Sequence, residues 1–141
     1  MSPAEILSLF PSTFLSFLIA FSLGAVFWVA GLVIVSMITP QDELTLLRAG
    51  NTPCALAFGG KAIGMVLPIA AVARTAGSPL DQAIWCIVAV AVQLLAHLVL
   101  TFLLAGRLKH EIEANEVGGA AVFIAFMQIG TGILNNAVMS G

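Results

Sequence analysis

Four long apolar stretches, separated by short polar segments, dominate the chain. They cover residues 12–38, 52–73, 81–105 and 117–139. Each is longer than the about 20 residues that an α-helix needs to cross the hydrocarbon core of a bilayer. Because lipid offers no hydrogen-bond partners, a backbone that spans it in such segments must be helical. The pattern therefore predicts an all-α polytopic membrane protein with four transmembrane helices, built as a single domain over residues 1–141.

The polar segments predict turns and two short helices. Pro40 disfavours helical geometry at Thr39, which ends the first span. Thr39 can cap a short helix with Asp42 and Glu43 in its first turn. Gly50 and Asn51 then provide a left-handed end for that helix, directly before the second span. A turn at residues 77–79 separates spans two and three. Residues 106–116 are charged, and they predict a second short amphipathic helix before span four.

Composition excludes several classes of protein. The chain is 60% hydrophobic and 9% charged, whereas a soluble domain has about 25% charged residues. No basic run or nucleic-acid motif occurs, so nucleic acid is not an expected partner. Cys54 and Cys86 lie in apolar surroundings and are expected to be small buried hydrophobes. The common catalytic and nucleotide-binding motifs are absent from the sequence, which predicts a non-enzyme without metal or cofactor.

The distribution of basic residues predicts an orientation. Arg48, Arg107 and Lys109 lie in the segments after spans one and three, and only Arg74 lies on the opposite side. Cytoplasmic segments carry an excess of Lys and Arg. Both termini are therefore predicted to be periplasmic.

An internal repeat is visible at an offset of about 65 residues. Each half contains a span, a charged segment, an Asn and a second span rich in small residues. The first repeat covers residues 12–73 and the second residues 81–139. Because each unit contains two spans, the two repeats are expected to share one orientation in the membrane.

Lys61 is the most unusual residue of the spans, because it lies near the middle of span two. A charge at a helix centre costs about 2.5–3.5 kcal/mol on insertion scales. The sequence shows no Asp or Glu at comparable depth, so no acidic partner is expected. Lys61 then either lines a polar pocket or pore, or is neutralised by burial or snorkels to the surface.

Other polar side chains lie within the predicted spans. Gln93 and His97 share one stripe of span three, while Gln128, Thr131 and Asn135 share a face of span four that could solvate Lys61. The candidate residues for an ion or ligand path are Lys61, Gln93, His97, Gln128, Thr131 and Asn135. The alternative is that these groups form interhelical hydrogen bonds that only stabilise packing. The candidate helix-packing residues are Gly60, Gly64, Pro68 and Gly132.

Two motifs resemble a known family. They are the string Thr-Pro-Gln-Asp-Glu-Leu at residues 39–44, followed by Gly50-Asn51, and the string Gly-Ile-Leu-Asn-Asn-Ala at residues 132–137. In this combination the chain resembles the YjfL-like family of small bacterial inner-membrane proteins, a domain of unknown function. The resemblance covers nearly the whole chain. It implies a four-span protein of the bacterial inner membrane with two repeats, and it implies no catalytic residues.

Two functions from different classes fit these features. The first is a small homo-oligomeric membrane protein that forms a conduction or transport path for ions or small solutes around the buried lysine. Four helices are few to enclose a pore, so small-residue faces would join several copies in the lipid bilayer. The second is a non-catalytic scaffold or accessory subunit whose polar faces bind a partner membrane protein.

Overall fold

The computed structural model describes residues 1–140, with the exception of the Ala105 side chain, so Gly141 of the predicted domain lies outside it. Five helices occur in this part of the chain: α1 (Pro3–Ile38), α2 (Glu43–Arg48), α3 (Thr52–Thr75), α4 (Pro79–Ala114) and α5 (Gly119–Ser140). Among the described residues, α1, α3, α4 and α5 are long and apolar enough to cross a membrane. The prediction of an all-α protein with four spans is confirmed.

Capping residues determine where the helices begin. Ser2 and Glu5 form a capping box at the start of α1. Asp42 caps α2, Asn51 caps α3 and Ser78 caps α4, each through a side-chain oxygen that accepts a backbone N–H three residues later. The predicted boundaries at these polar segments are therefore correct to within a few residues.

Two predicted boundaries are wrong. α1 begins at Pro3 rather than near residue 12, because its cap, Ser2, lies well before the start of the predicted span. The predicted second short helix does not exist as a separate element, since α4 continues without a break to Ala114. Neither Pro nor a turn sequence follows Gly106, and a single Gly weakens a helix by only about 1 kcal/mol. At 36 residues each, α1 and α4 are about 54 Å long.

α3 lies at the centre of the bundle and makes its most extensive contact with α5. The two helices approach so closely that a Cβ on Gly60 would meet the Ala125 backbone, and one on Gly64 would meet the Gln128 carbonyl. Gly132 packs against Gly64 in the same way. Small residues permit this backbone-to-backbone contact. The small-residue faces proposed for joining different copies are therefore occupied within one chain.

Pro68 is buried in α3 and explains part of this packing. It has no N–H, so the Gly64 carbonyl lacks its usual donor within the helix. The Cα of Gly132 lies close to that carbonyl oxygen. Contacts of Cα–H groups with carbonyls recur at tight helix interfaces and are weakly favourable. The packing against α5 therefore covers the acceptor that Pro68 leaves free.

The ends of α2 and α4 have the same capping pattern. Gly50 and Asn115 have positive φ angles of 77° and 51°. In each case the left-handed residue and its successor donate N–H groups back into the last turn: Gly50 to Leu47, Asn51 to Leu46, Asn115 to Ile112 and Glu116 to Glu111. This is the hydrogen-bond arrangement of a Schellman cap. The donors and acceptors correspond at an offset of about 65 residues, which agrees with the internal repeat; the repeat itself stays a prediction.

Two asparagines connect these helix ends. Asn51 Nδ2 donates to the Ile112 carbonyl at 2.8 Å, and Asn115 Oδ1 accepts from the Thr52 N–H at 3.0 Å. The start of α3 is thereby joined to the end of α4. The short helix α2, which leads directly into α3, is held near the polar residues of the bundle.

Candidate functional site

A buried ion pair between α2 and α3 is the main polar feature of the molecule. Lys61 Nζ donates to Glu43 Oε1 at 3.0 Å. The two residues are only 3% and 5% exposed, so solvent does not screen the pair as it does at a surface. The expectation that Lys61 has no acidic partner is wrong. Glu43, although it belongs to the polar segment between spans one and two, is buried.

The local fold of α2 brings Glu43 to this position. Asp42 caps the helix through its Oδ1, which accepts the Thr45 N–H, while the Thr45 hydroxyl donates to Oδ2. These hydrogen bonds lower the pKa of the exposed Asp42 carboxyl, the side-chain bond contributing most. Glu43, the first residue of the helix, points inward, where Ser36 Oγ donates to its second oxygen at 2.8 Å. Both carboxylate oxygens are therefore hydrogen-bonded.

His97, a residue of α4, lies beside the ion pair. Its Nε2 is 3.2 Å from Thr39 Oγ1 and 3.5 Å from Thr101 Oγ1. The Thr39 hydroxyl also donates to the Val35 carbonyl. The ring nitrogen therefore faces one hydroxyl from the end of α1 and one from the next turn of α4, and its tautomer determines whether it accepts or donates.

A small cavity separates His97 from Lys61. Its volume is about 20 Å³, and its lining residues are Thr39, Pro40, Gln41, Lys61, His97, Leu100, Thr101, Leu108 and Ile124. A site that holds one water molecule needs about 10–15 Å³ of such volume and several polar partners. The hydroxyls, the imidazole and the ammonium provide those partners. The arrangement can therefore bind one water between a buried ion pair and a histidine.

The remaining candidate residues lie elsewhere in the bundle. Gln93 Nε2 is 3.4 Å from the Gln128 carbonyl and 3.5 Å from its side-chain oxygen. Asn135 donates to the Ala89 carbonyl, and Thr131 donates to Met127 of its own helix. The face of α5 that was expected to solvate Lys61 instead bonds to α4 and to itself. Among the buried side-chain polar atoms of the described part of the chain, Gln93 Oε1 has no hydrogen-bond partner.

Sequence reasoning missed three members of these polar networks. Glu43 and Ser36 were not assigned to the site, and the Trp28 indole, which donates to the Ala62 carbonyl at 2.9 Å next to Lys61, was not assigned to packing. One signal could have identified Glu43. It is the first residue of a short helix on the chain segment that leads into the span carrying the lysine, and a buried lysine requires a nearby counter-charge.

The comparisons with known proteins agree on one family. The model of the family described as Domain of Unknown Function (DUF350) matches residues 8–139. The chain is 31% identical over 126 residues to the UPF0719 inner membrane protein YjfL of Escherichia coli (strain K12), covering 89% of this chain and 94% of that protein. It has the same identity and coverage with the protein of that name from Escherichia coli O157:H7. No solved structure matches the chain at a significant level.

The matched region includes all four spans and the ion pair. With four apolar helices and relatives named as inner-membrane proteins, the chain is a multi-pass protein of the inner membrane. The resemblance seen in the motifs at residues 39–44 and 132–137 is confirmed. The chain belongs to the Domain of Unknown Function (DUF350) family and, through its similarity to YjfL, to the YjfL-like proteins.

Proposed function

We propose that this chain is a small oligomeric membrane protein that conducts ions or small solutes, with the Glu43–Lys61 pair as the gate of the path. The observation that supports the proposal is the burial of this pair at the end of the bundle where α2 lies. Charged groups within membrane segments are costly, and they commonly mark ion or substrate pathways. A pair retained here for packing alone would add little stability over apolar residues of similar size.

The position of Glu43 on α2 gives the gate a physical basis. α2 is only six residues long and lies outside the spans, and we propose that it shifts relative to the transmembrane helices when the gate opens. A displaced α2 would take the carboxylate away from Lys61 and would widen the water-sized cavity beside His97. The remaining ammonium would attract anions to the opening. In the closed state, the paired charges are neutral as a unit.

The conduction path is proposed to lie between copies of the chain. α3 and α5 pack backbone against backbone inside one copy, which leaves little room for solutes between them. Only 11% of the most apolar 18-residue segment of α1 is buried. Most of that helix is therefore available for contact with lipid or with another copy. In this proposal both termini lie in the periplasm and α2 lies on the cytoplasmic side, as the distribution of basic residues predicts.

Ion flux through proteoliposomes tests the gate. Glu43→Gln keeps the shape of the side chain and removes the counter-charge, so we expect a higher anion flux than in the wild type. Lys61→Met is expected to abolish the anion preference. Glu113→Gln, which changes an exposed carboxylate near the end of α4, is the matched control and should leave the flux unchanged. Absence of flux in every variant would contradict a conduction path, and equal flux in all of them would remove the ion pair from the gate.

A non-catalytic accessory subunit is the second proposal, and one observation favours it. Apart from Gln93 Oε1, the buried side-chain polar atoms in the described residues have partners within the chain. Such an interior is suited to stable packing beneath a surface that binds another membrane protein. Purification from membranes in mild detergent, followed by mass spectrometry, tests this. A stoichiometric membrane partner would support the accessory subunit, whereas recovery as a closed homo-oligomer alone would count against it.

A further inference from the structure

The first half of α1 extends beyond the rest of the bundle. Every residue from 1 to 19 is exposed, and the last interhelical hydrogen bond of α1 at this end is from Gln82 Nε2 to the Ala20 carbonyl. Gln82 is in the first turn of α4, so Ala20 marks the end of the bundle. Residues 3–19, which we call the arm, continue as a helix for about 26 Å past this level.

With residues 20–38 of α1 crossing the hydrocarbon core, the arm lies outside that core. Residues 20–38 already measure about 28 Å, close to the about 30 Å thickness of that core. The headgroup region on one side adds only about 5–8 Å. An upright arm would therefore expose large apolar side chains to water, among them those of Ile6, Leu7 and Leu9, which is unfavourable.

The arm has two different faces. Phe10, Phe14, Phe17 and Phe21 form a continuous ladder, with neighbouring ring centroids 5.6, 6.1 and 5.7 Å apart. At 100° per residue, the opposite side of the helix carries Glu5, Ser8, Ser12 and Ser16, which we call the serine stripe, together with the apolar Ile19. A helix with one more apolar and one more polar face can lie at a membrane surface with the apolar face turned inward. The stripe contains no Lys or Arg, so burial of the ladder rather than attraction to anionic lipid would hold it there.

The arm also contains the weakest section of α1. Pro11 lies inside the helix and leaves the Leu7 carbonyl without its backbone donor. The hydroxyls of Ser12 and Thr13 both donate to the Leu9 carbonyl, and Ser16 donates to Ser12. Hydroxyls bonded back to the preceding turn often bend helices. The chain can therefore turn away from the axis of the span within this section.

We propose that the arm binds the surface of the bilayer at the end of the bundle opposite α2, with the Phe ladder among the acyl chains and the serine stripe facing water. The arm would then fix the height and tilt of α1 against the membrane. This inference stands independently of the conduction path, because it depends only on α1 and lipid.

Two matched cysteine variants of the full chain test the proposal. Phe14→Cys is on the ladder and Ser12→Cys is on the stripe, and the native Cys54 and Cys86 are buried. In phosphatidylcholine vesicles, a bimane probe at position 14 is expected to be quenched by doxyl-labelled lipid several-fold more strongly than one at position 12. A membrane-impermeant maleimide should show the reverse preference.

Three results would overturn the proposal. Equal maleimide labelling at both positions without lipid quenching would show that the arm stands upright in water. Equal and strong quenching at both would place it inside the bilayer core. Disulfide cross-linking between chains at position 14, with both positions protected from the maleimide, would show that a second copy covers the ladder.

Discussion

At the scale of single residues, the protein depends on buried polar groups whose partners come from a different element. Lys61 is on α3 and its carboxylate partner is on α2. Breaking a buried ion pair leaves one uncompensated charge, whereas replacing both partners with apolar groups is often nearly neutral. This asymmetry allows a stability experiment to distinguish a buried pair from a surface one.

Lys61→Met is expected to lower the free energy of unfolding by about 3–5 kcal/mol, because Glu43 remains buried and unpaired. The double variant Glu43→Leu/Lys61→Met should recover most of that loss. Denaturant unfolding in detergent micelles measures both values. If Lys61→Met alone were as stable as the wild type, the pair would have to be solvated.

Glu111 provides a second prediction, about helix capping. Its carboxylate oxygens accept N–H groups from Gly118, Ala120 and Ala121, at 2.5, 3.1 and 3.2 Å. They thereby satisfy the free donors at the start of α5. Glu111→Ala is expected to cost about 1–2 kcal/mol of unfolding free energy. Glu113→Ala, two residues away and exposed, is the control and should change stability little; an equal loss in the two variants would argue against the cap.

At the scale of elements, the contact between α3 and α5 determines how the bundle is built. Gly60 and Gly64 allow the two helices to touch through their backbones. Gly59 and Gly130 are on the same two helices, but a Cβ at either position would meet nothing within 4 Å. Each of the two helices therefore carries glycines in close contact with the other helix and one glycine in open space, which can serve as a control.

Gly60→Ala is expected to destabilise the protein by about 1–3 kcal/mol, since its Cβ would overlap the Ala125 backbone and the helices would have to separate. Gly59→Ala should be neutral or stabilising by up to about 1 kcal/mol, because Ala has the higher helix propensity. Thermal unfolding followed by circular dichroism compares the two. Equal effects would contradict the close contact.

At the scale of the whole molecule, the even number of spans places both ends of the chain on the same side of the membrane. The basic residues of the segments after α1 and near the end of α4 predict that this side is periplasmic. Alkaline phosphatase fused after Gly141 is therefore expected to be active, and green fluorescent protein at the same site to be dark. The opposite result would invert the orientation and place α2 in the periplasm.

The spans could be predicted from the sequence because each is a long apolar segment whose signal is local. The left-handed Gly50 at the end of α2 is a local signal as well, whereas α2 is capped by Asp42 and not by Thr39 as predicted. The end of α4 was not predictable in this way, because residues 106–114 are polar enough for a loop and helical enough to continue the span. Nothing in the local pattern distinguishes these outcomes, and the contacts near residue 112 favour the helix.

The candidate site shows the same division. Lys61 was recognisable from sequence because a charge in an apolar segment is costly wherever it lies. Its partner was not, because a linear estimate of depth places Glu43 in a loop and ignores that the loop folds back onto α3. The sequence by itself determined that the chain crosses the membrane four times and where its charges lie along each span. Only the tertiary structure decided which charges meet, since that depends on the packing of residues far apart in the chain.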